Sequence, residues 1–233
     1  MISRRWEKLH MPKGTNQKFK LYRLAQIMMK SLALDSAAKA FQPKGIFSDV
    51  PPSNIFAPAI ELGAGIGAIK GYGDGIFGPD DNVLGTEAVK MMTFAAGHDV
   101  TADANGGYPA GYMSVAMEIG MLKGIAGIDF SVPMKRGQAA ILCANTLKVD
   151  MKKKVSDGGT IKYVQYPDVN LLSEKHSVYK AEGLVSANDV TSLWGSSSLR
   201  EGRVQIETGT TNGIYIAGET TISGALGKYV KAY

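Results

Sequence analysis

Apolar positions recur at three- and four-residue intervals in five stretches of the chain, a spacing that predicts five amphipathic helices. Over residues 19–34 the stripe is Leu21, Leu24, Ile27, Met28 and Leu32. Over 54–68 it is Ile55, Ala59, Ile60, Leu62 and Ile66, and over 86–96 it is Ala88, Val89, Met91, Met92 and Ala95. A fourth helix is expected from Tyr108-Pro109-Ala110-Gly111-Tyr112 through Met121, and a fifth over 136–147 on Ala139, Ala140, Leu142 and Ala144. Breakers separate them, notably Gln42-Pro43-Lys44-Gly45 and the dense turn Gly71-Tyr72-Gly73-Asp74-Gly75. The order helix, glycine turn, loop, helix occurs at 47–96 and again at about 107–148, and 18–34 reads as the second half of a further copy. Such recurrence is the mark of a repeat architecture.

After Asp150 the pattern changes. Lys152–Asp157 reads as a polar linker, and short β-like runs follow at Thr160–Gln165, Val178–Ser186, Arg203–Glu207, Gly213–Ala217 and Lys228–Ala232. The expected division is a polar segment at 1–17, a partial repeat at 18–46, a second at 47–106, a third and degenerate one at 107–150, then linker and β-rich module over 151–233.

Composition narrows the chemistry. One cysteine, Cys143, excludes an internal disulfide framework and any multi-cysteine metal site, and three histidines far apart in sequence offer no zinc-like spacing. No apolar run reaches the ~18 residues that a bilayer-spanning helix needs. Twenty-six basic and 21 acidic residues leave a net charge of +5, part of it in Ser3–Lys8 and in Lys152-Lys153-Lys154. No basic stripe is interleaved with aromatics, so nucleic acid is not an expected partner. Met1–Lys20 lacks the apolar core of a secretory signal, which suggests either a cytoplasmic protein or a chain that begins inside a longer precursor. Gly63-Ala64-Gly65-Ile66-Gly67-Ala68 fits a dinucleotide fingerprint in spelling, but it lies inside a helix instead of after a strand. Asp74, Asp80, Asp81, Asn82 and Glu87 lack the order of a calcium loop. Ser173, Glu174 and His176 form no catalytic order, so neither an enzyme nor a cofactor is expected.

The wording of the second repeat is its most specific feature. Phe47-Ser48-Asp49-Val50 is followed by Gly71-Tyr72-Gly73-Asp74-Gly75-Ile76-Phe77-Gly78-Pro79 and then by Glu87-Ala88 at a helix start. This closely resembles the S-layer homology repeat, with its Phe-x-Asp-Val start, Gly-Tyr-Gly-Asp-Gly-x-Phe-x-Pro centre and Thr-Arg-Ala-Glu helix opening. The degenerate style, followed by a β-module, looks like surface proteins of clostridia and their gut relatives. Read physically, Asp74 is expected to cap the turn, Phe77 and Tyr72 to cover the apolar face, Pro79 to stop further helix, and Glu87 to favour the helix dipole.

The resemblance implies a mainly α fold of helix–loop–helix units in a pseudo-threefold bundle followed by a small β-rich module, α+β overall. It also implies an exported, cell-wall or S-layer location, and grooves between the units that bind a pyruvylated secondary wall glycan. At the Thr-Arg-Ala-Glu position the third copy reads Lys135-Arg136-Gly137-Gln138 and the second Leu84-Gly85-Thr86-Glu87, while the first is aligned as Tyr22-Arg23-Leu24-Ala25. Arg23, Arg136 and Glu87 are therefore the candidate polymer contacts, since an arginine fork suits a ketal carboxylate. The groove served by Gly85 is expected to be dead or altered. Two other readings stay open: a self-assembling S-layer or filament subunit, and the anchor segment of a larger surface enzyme such as a glycanase.

Overall fold

The computed structural model describes residues 16–125, 129–157, 159–195, 197–209, 211–217 and 220–233. The basic cluster Ser3–Lys8 and most of the polar segment 1–17 lie outside the described residues. The chain divides into two compact units, one ending at His176 and one running Ser177–Tyr233.

In the first unit the helices are α1 (Leu21–Ser31), α2 (Asp35–Ala40), α3 (Ala57–Gly65), α4 (Gly85–Ala95), α5 (Asp99–Ala104), α6 (Ala110–Glu118), α7 (Arg136–Thr146) and α8 (Leu171–His176). The expected stripes are buried in part: Leu24 and Met28 on α1, Ile60 on α3, Val89 and Met92 on α4, and Leu142 on α7 are solvent-inaccessible, whereas Ile55, Ile66, Ala140 and Ala144 are exposed. None of the described helices is long and apolar enough to cross a membrane.

The centre of this unit is a closed ring of backbone hydrogen bonds. Phe19 N–H donates to Met134 O (2.9 Å), Met134 N–H to Val83 O (2.8 Å), and Val83 N–H to Phe19 O (2.8 Å). Each of these residues lies two positions before α1, α4 or α7, and each intervening residue (Lys20, Leu84, Lys135) is extended. The first helical N–H groups have no partner inside their own helix. Here the neighbouring segment supplies one. Leu21 N–H donates to Asp81 O (3.0 Å), Gly85 N–H to Val132 O (3.2 Å) and Arg136 N–H to Gln17 O (2.8 Å). The three helix starts are thus cyclically equivalent.

The expectation of a mainly α fold is overturned. Among the described residues the eight helices are accompanied by six strands in two antiparallel sheets, a mixed α+β structure. Strand β1 (Lys152–Asp157), where a linker was expected, pairs with β2 (Thr160–Gln165), an expected β-like run, to form a hairpin in the first unit. Three consecutive lysines hide the two-residue alternation of β1, because Lys side chains keep their charged ends in water on either face of a ribbon. In the second unit β3 (Ala181–Ala187), β4 (Arg203–Thr208), β5 (Thr211–Ile216) and β6 (Tyr229–Ala232) form a sheet of order β5-β4-β3-β6. One face carries Val185, Val204 and Ile206, packed with Ile222 and Ala225 of the short 3-10 helix Thr221–Ala225.

Candidate functional site

The glycine-rich centre is held by the Phe-x-Asp-Val start. Asp49 accepts Phe77 N–H through Oδ1 (2.9 Å) and Gly78 N–H through Oδ2 (2.6 Å). Asp74, expected to cap this turn, occupies the left-handed region at φ 49°, a conformation that Asp tolerates better than most residues. Gly71 has no substitute: at φ +69° its added Cβ would meet Ile76 O at 2.5 Å. Gly73 and Gly75 also have positive φ, and Tyr72 N–H closes the loop on Ile76 O at 2.8 Å. Phe77 is buried and tilts against Phe47, ring centroids 5.5 Å apart. Tyr72 is not part of that core; its ring is exposed. Pro79 contributes more than a helix stop, because its carbonyl accepts Tyr22 N–H at the start of α1 (3.1 Å).

A buried carboxylate absent from the sequence reading supports the loop before this motif. Glu61 on α3 is 2% exposed and accepts Lys44 N–H and Gly45 N–H, each at 2.7 Å, and Ile46 N–H at 3.4 Å. Its partners lie 15 to 17 residues earlier in the chain, so no local motif announces it.

Two clefts occupy cyclically equivalent places between helix starts. The larger, about 610 Å³, is lined by Arg136 at the first position of α7 and, on the α1 side, by Arg23, Gln26 and Ile27. Lys18, Lys20 and Lys30 also line it. The smaller, about 150 Å³, is lined by Leu21 at the first position of α1 and by Glu87, Lys90 and Met91 of α4, with Tyr72 and Tyr108. Residue by residue, Leu21 corresponds to Arg136, Glu87 to Arg23, and Lys90 to Gln26.

This equivalence corrects the register of the first copy. Arg23 does not occupy the position of Arg136. It is the third residue of its helix, the place held by Glu87 in α4 and Gln138 in α7. Those two side chains cap their own helices: Glu87 Oε2 accepts Leu84 N–H and Gln138 Oε1 accepts Lys135 N–H, at 2.7 and 2.8 Å. Arg23, having no acceptor, turns into the cleft, with its guanidinium carbon 5.2 Å from the Tyr22 ring centroid. Arg136 is steadied by Gln17, whose Oε1 accepts from one guanidinium nitrogen at 3.2 Å. Lys20 Nζ donates to Asp80 O at 2.5 Å. Among the described residues no carboxylate lines the larger cleft or pairs with any of its five cations.

The smaller cleft is electrostatically mixed. Partial burial and the adjoining Glu87 carboxylate push the Tyr72 hydroxyl well above its ordinary range. Burial, helped by Lys70, lowers Lys90 from its ordinary value. Lys90 lies 5.1 Å from the Tyr108 ring centroid, and the Tyr108 hydroxyl is 2.9 Å from Thr86 Oγ1. At the third equivalent place Gly85 stands at the first position of α4, where Arg136 stands in α7. A Cβ on Gly85 would sit 2.8 Å from Phe130 Cα and 2.9 Å from Phe130 O, so no arginine fits there without moving backbone. Cys143, buried on α7, has its thiol pushed up to about 11 by burial and is chemically quiet. Among the described residues no group of His, Cys, Asp and Glu could hold a metal ion.

Comparison with family models matches residues 46–89 to the S-layer homology domain. Over 139 residues the chain is 27% identical to the middle cell wall protein of Brevibacillus brevis, covering 60% of this chain and 13% of that protein. It is 29% identical over 121 residues to a cell surface protein of Thermoanaerobacter kivui, covering 52% and 15% respectively. It is 26% identical over 152 residues to the surface layer protein of Brevibacillus choshinensis, covering 64% and 13%. The chain therefore spans between 13% and 15% of the length of these curated relatives. No solved structure matches.

Proposed function

We propose that this chain, which carries an S-layer homology domain at residues 46–89, attaches a cell-surface protein to the wall by holding an anionic wall polymer in the Arg23–Arg136 cleft. The domain and the likeness to cell-wall and surface-layer proteins support a role at the cell surface, in anchoring or in the S-layer itself. The observation that carries the finer reading is the larger cleft: five cations facing about 610 Å³ with no described carboxylate among them. Such a site attracts an anionic polymer, and the arginine forks match carboxylate or phosphate geometry. A pyruvylated glycan fits this chemistry through its ketal carboxylate. In this reading the repeats are 18–46, 47–106 and 107–150, and the role is structural, without catalysis. Glu87 is a sugar-facing wall of the smaller cleft, where a carboxylate accepts from hydroxyls.

The test is cosedimentation with wall sacculi before and after hydrofluoric-acid removal of secondary polymer. The chain pellets with untreated walls only, and Arg136→Ala reduces the pelleted fraction at least tenfold. Equal sedimentation with both preparations, or none with either, refutes polymer attachment.

Assembly is a second reading, favoured by one edge of the sheet in the second unit. Strand β5 is an edge strand with no charge from Asn212 to Ile216, and it exposes Ile214 (55%) and Ile216 (79%). Edge strands are usually guarded by charge or proline, because an open edge pairs with another chain. Ordered sheets or filaments formed without any wall present are the outcome this reading expects.

A further inference from the structure

We infer that Arg23 sets the specificity of the larger cleft, tuning it for a glycan segment that presents two anionic groups at once, a charge pattern that the equivalent cleft around Glu87 lacks; this rests on the attachment reading above.

Three observations converge on Arg23. The helix position it occupies is a capping position in both sister segments, where Glu87 and Gln138 accept the N–H of the residue three places earlier. A capping acceptor satisfies a donor that the helix itself leaves open, so replacing it with a cation breaks a favourable local rule. Rules of this kind are broken where another requirement takes precedence. Second, the substitution reverses the charge of the cleft wall. Where the smaller cleft has Glu87, the larger has Arg23, and where the smaller has apolar Leu21, the larger has Arg136. Third, the added cations are not used internally. Arg136 contacts only a neutral amide, Arg23 lies against a tyrosine ring, and neither forms an ion pair among the described residues.

Two guanidinium groups therefore enter one cleft from the α1 and α7 sides, with Lys18, Lys20 and Lys30 at its edges. Like charges gathered without counter-charge repel one another, and an entering anion relieves this. A single carboxylate brings one negative charge to two forks. Two acidic groups on one sugar segment, whether carboxylates or phosphates, engage both. In the smaller cleft Glu87 already offsets part of the charge of Lys70 and Lys90, and no arginine fork is offered beside Tyr72 and Tyr108.

The probes are dextran, carboxymethyl dextran and phosphorylated dextran of matched charge density, titrated into the whole chain by calorimetry at 50 and 200 mM salt. Wild type binds the acidic dextrans and not plain dextran, more tightly at low salt; comparing the two acidic forms separates carboxylate from phosphate recognition. Arg23→Gln, which restores a capping acceptor, weakens acidic binding at least tenfold and flattens its salt dependence, while the melting temperature stays level or rises. Arg23→Glu abolishes acidic binding, and Arg23→Lys keeps the preference for acidic over plain dextran. If Arg23→Gln and Arg23→Glu bind acidic dextran as wild type does, the inference is wrong. If wild type pellets with walls and only Arg136→Ala disturbs this, attachment stands and the role of Arg23 falls. If wild type ignores walls but keeps an Arg23-dependent preference for acidic dextran, the attachment reading falls and the specificity stands.

Discussion

Glu61 and Asp49 divide the labour of shaping the second segment. Asp49 fastens the glycine-rich loop to the chain before α3, and Glu61, from α3, fastens the preceding turn at Lys44–Ile46. A buried acceptor serving several backbone donors is costly to lose, since each donor stranded away from water loses about 1–3 kcal/mol. Glu61→Ala is therefore expected to lower unfolding stability by about 2–4 kcal/mol. Chemical denaturation read by circular dichroism checks this; a loss within the ~0.5 kcal/mol typical of surface changes refutes the bonding scheme. Of these two carboxylates only Asp49 was legible in the sequence, because it belongs to a recognisable phrase. Glu61 reads as an ordinary helical glutamate until the fold brings its distant partners to it. Arg23 shows the converse difficulty. Its residue type was legible, but its register was not, because one arginine in a degenerate segment can be aligned at either of two positions. Only the backbone ring through Phe19, Val83 and Met134 decides between them.

At the scale of elements, length governed what could be read. The five longer helices carry enough turns for their stripes to show, whereas α2, α5 and α8, six residues each, are shorter than two turns and leave no periodic signal. Strand β1 was hidden by its lysines, and its position depends on a contact with no sequence signature. Lys152 N–H donates to Ala96 O at 3.2 Å, Lys152 Nζ donates to Thr101 Oγ1 at 2.7 Å, and buried His98 places Nε2 2.8 Å from Asp150 O. This junction ties the hairpin to the end of α4 and start of α5 through one titratable ring. Burial lowers the His98 pKa below its ordinary 6.5, outweighing the Asp150 carbonyl, with Lys152 acting in the same direction and Glu118 and Asp99 against it. The folded state therefore binds fewer protons at His98 than the unfolded state does, and stability rises with pH across that window. It is fully present above about pH 6.5 and declines as pH falls from there through the lower folded value. The melting temperature of the first unit is expected to drop between pH 7.5 and pH 5, and His98→Gln to flatten this part of the profile. An unchanged slope in the variant would assign the acid sensitivity to other groups.

Across the whole molecule, the two compact units differ in how much they bury. The first has a continuous core running from Phe19 to Leu171, with methionines filling the spaces between helices. Among the described residues the core cluster of the second is small: Ala181, Val185, Val204, Ile206 and Ala217. Small units bury a smaller fraction of their surface and are correspondingly marginal. In the same unit the Ser186 hydroxyl is fully buried and finds no hydrogen-bond partner among the described residues. Burying an unbonded hydroxyl costs about 1–3 kcal/mol by mutational measures. Backbone amides of β3, β4 and β5 are therefore expected to exchange with deuterium before those of α1, α4 and α7 as denaturant is raised. Ser186→Ala removes the stranded hydroxyl and leaves strand geometry untouched, because the Ser186 carbonyl still accepts Leu193 N–H. It should stabilise the second unit by about 1 kcal/mol, seen as slower exchange in those strands alone, with exchange in the first unit unchanged. If the variant exchanges faster, Ser186 has a partner that makes its burial favourable, and the low stability argued for this unit loses its main support.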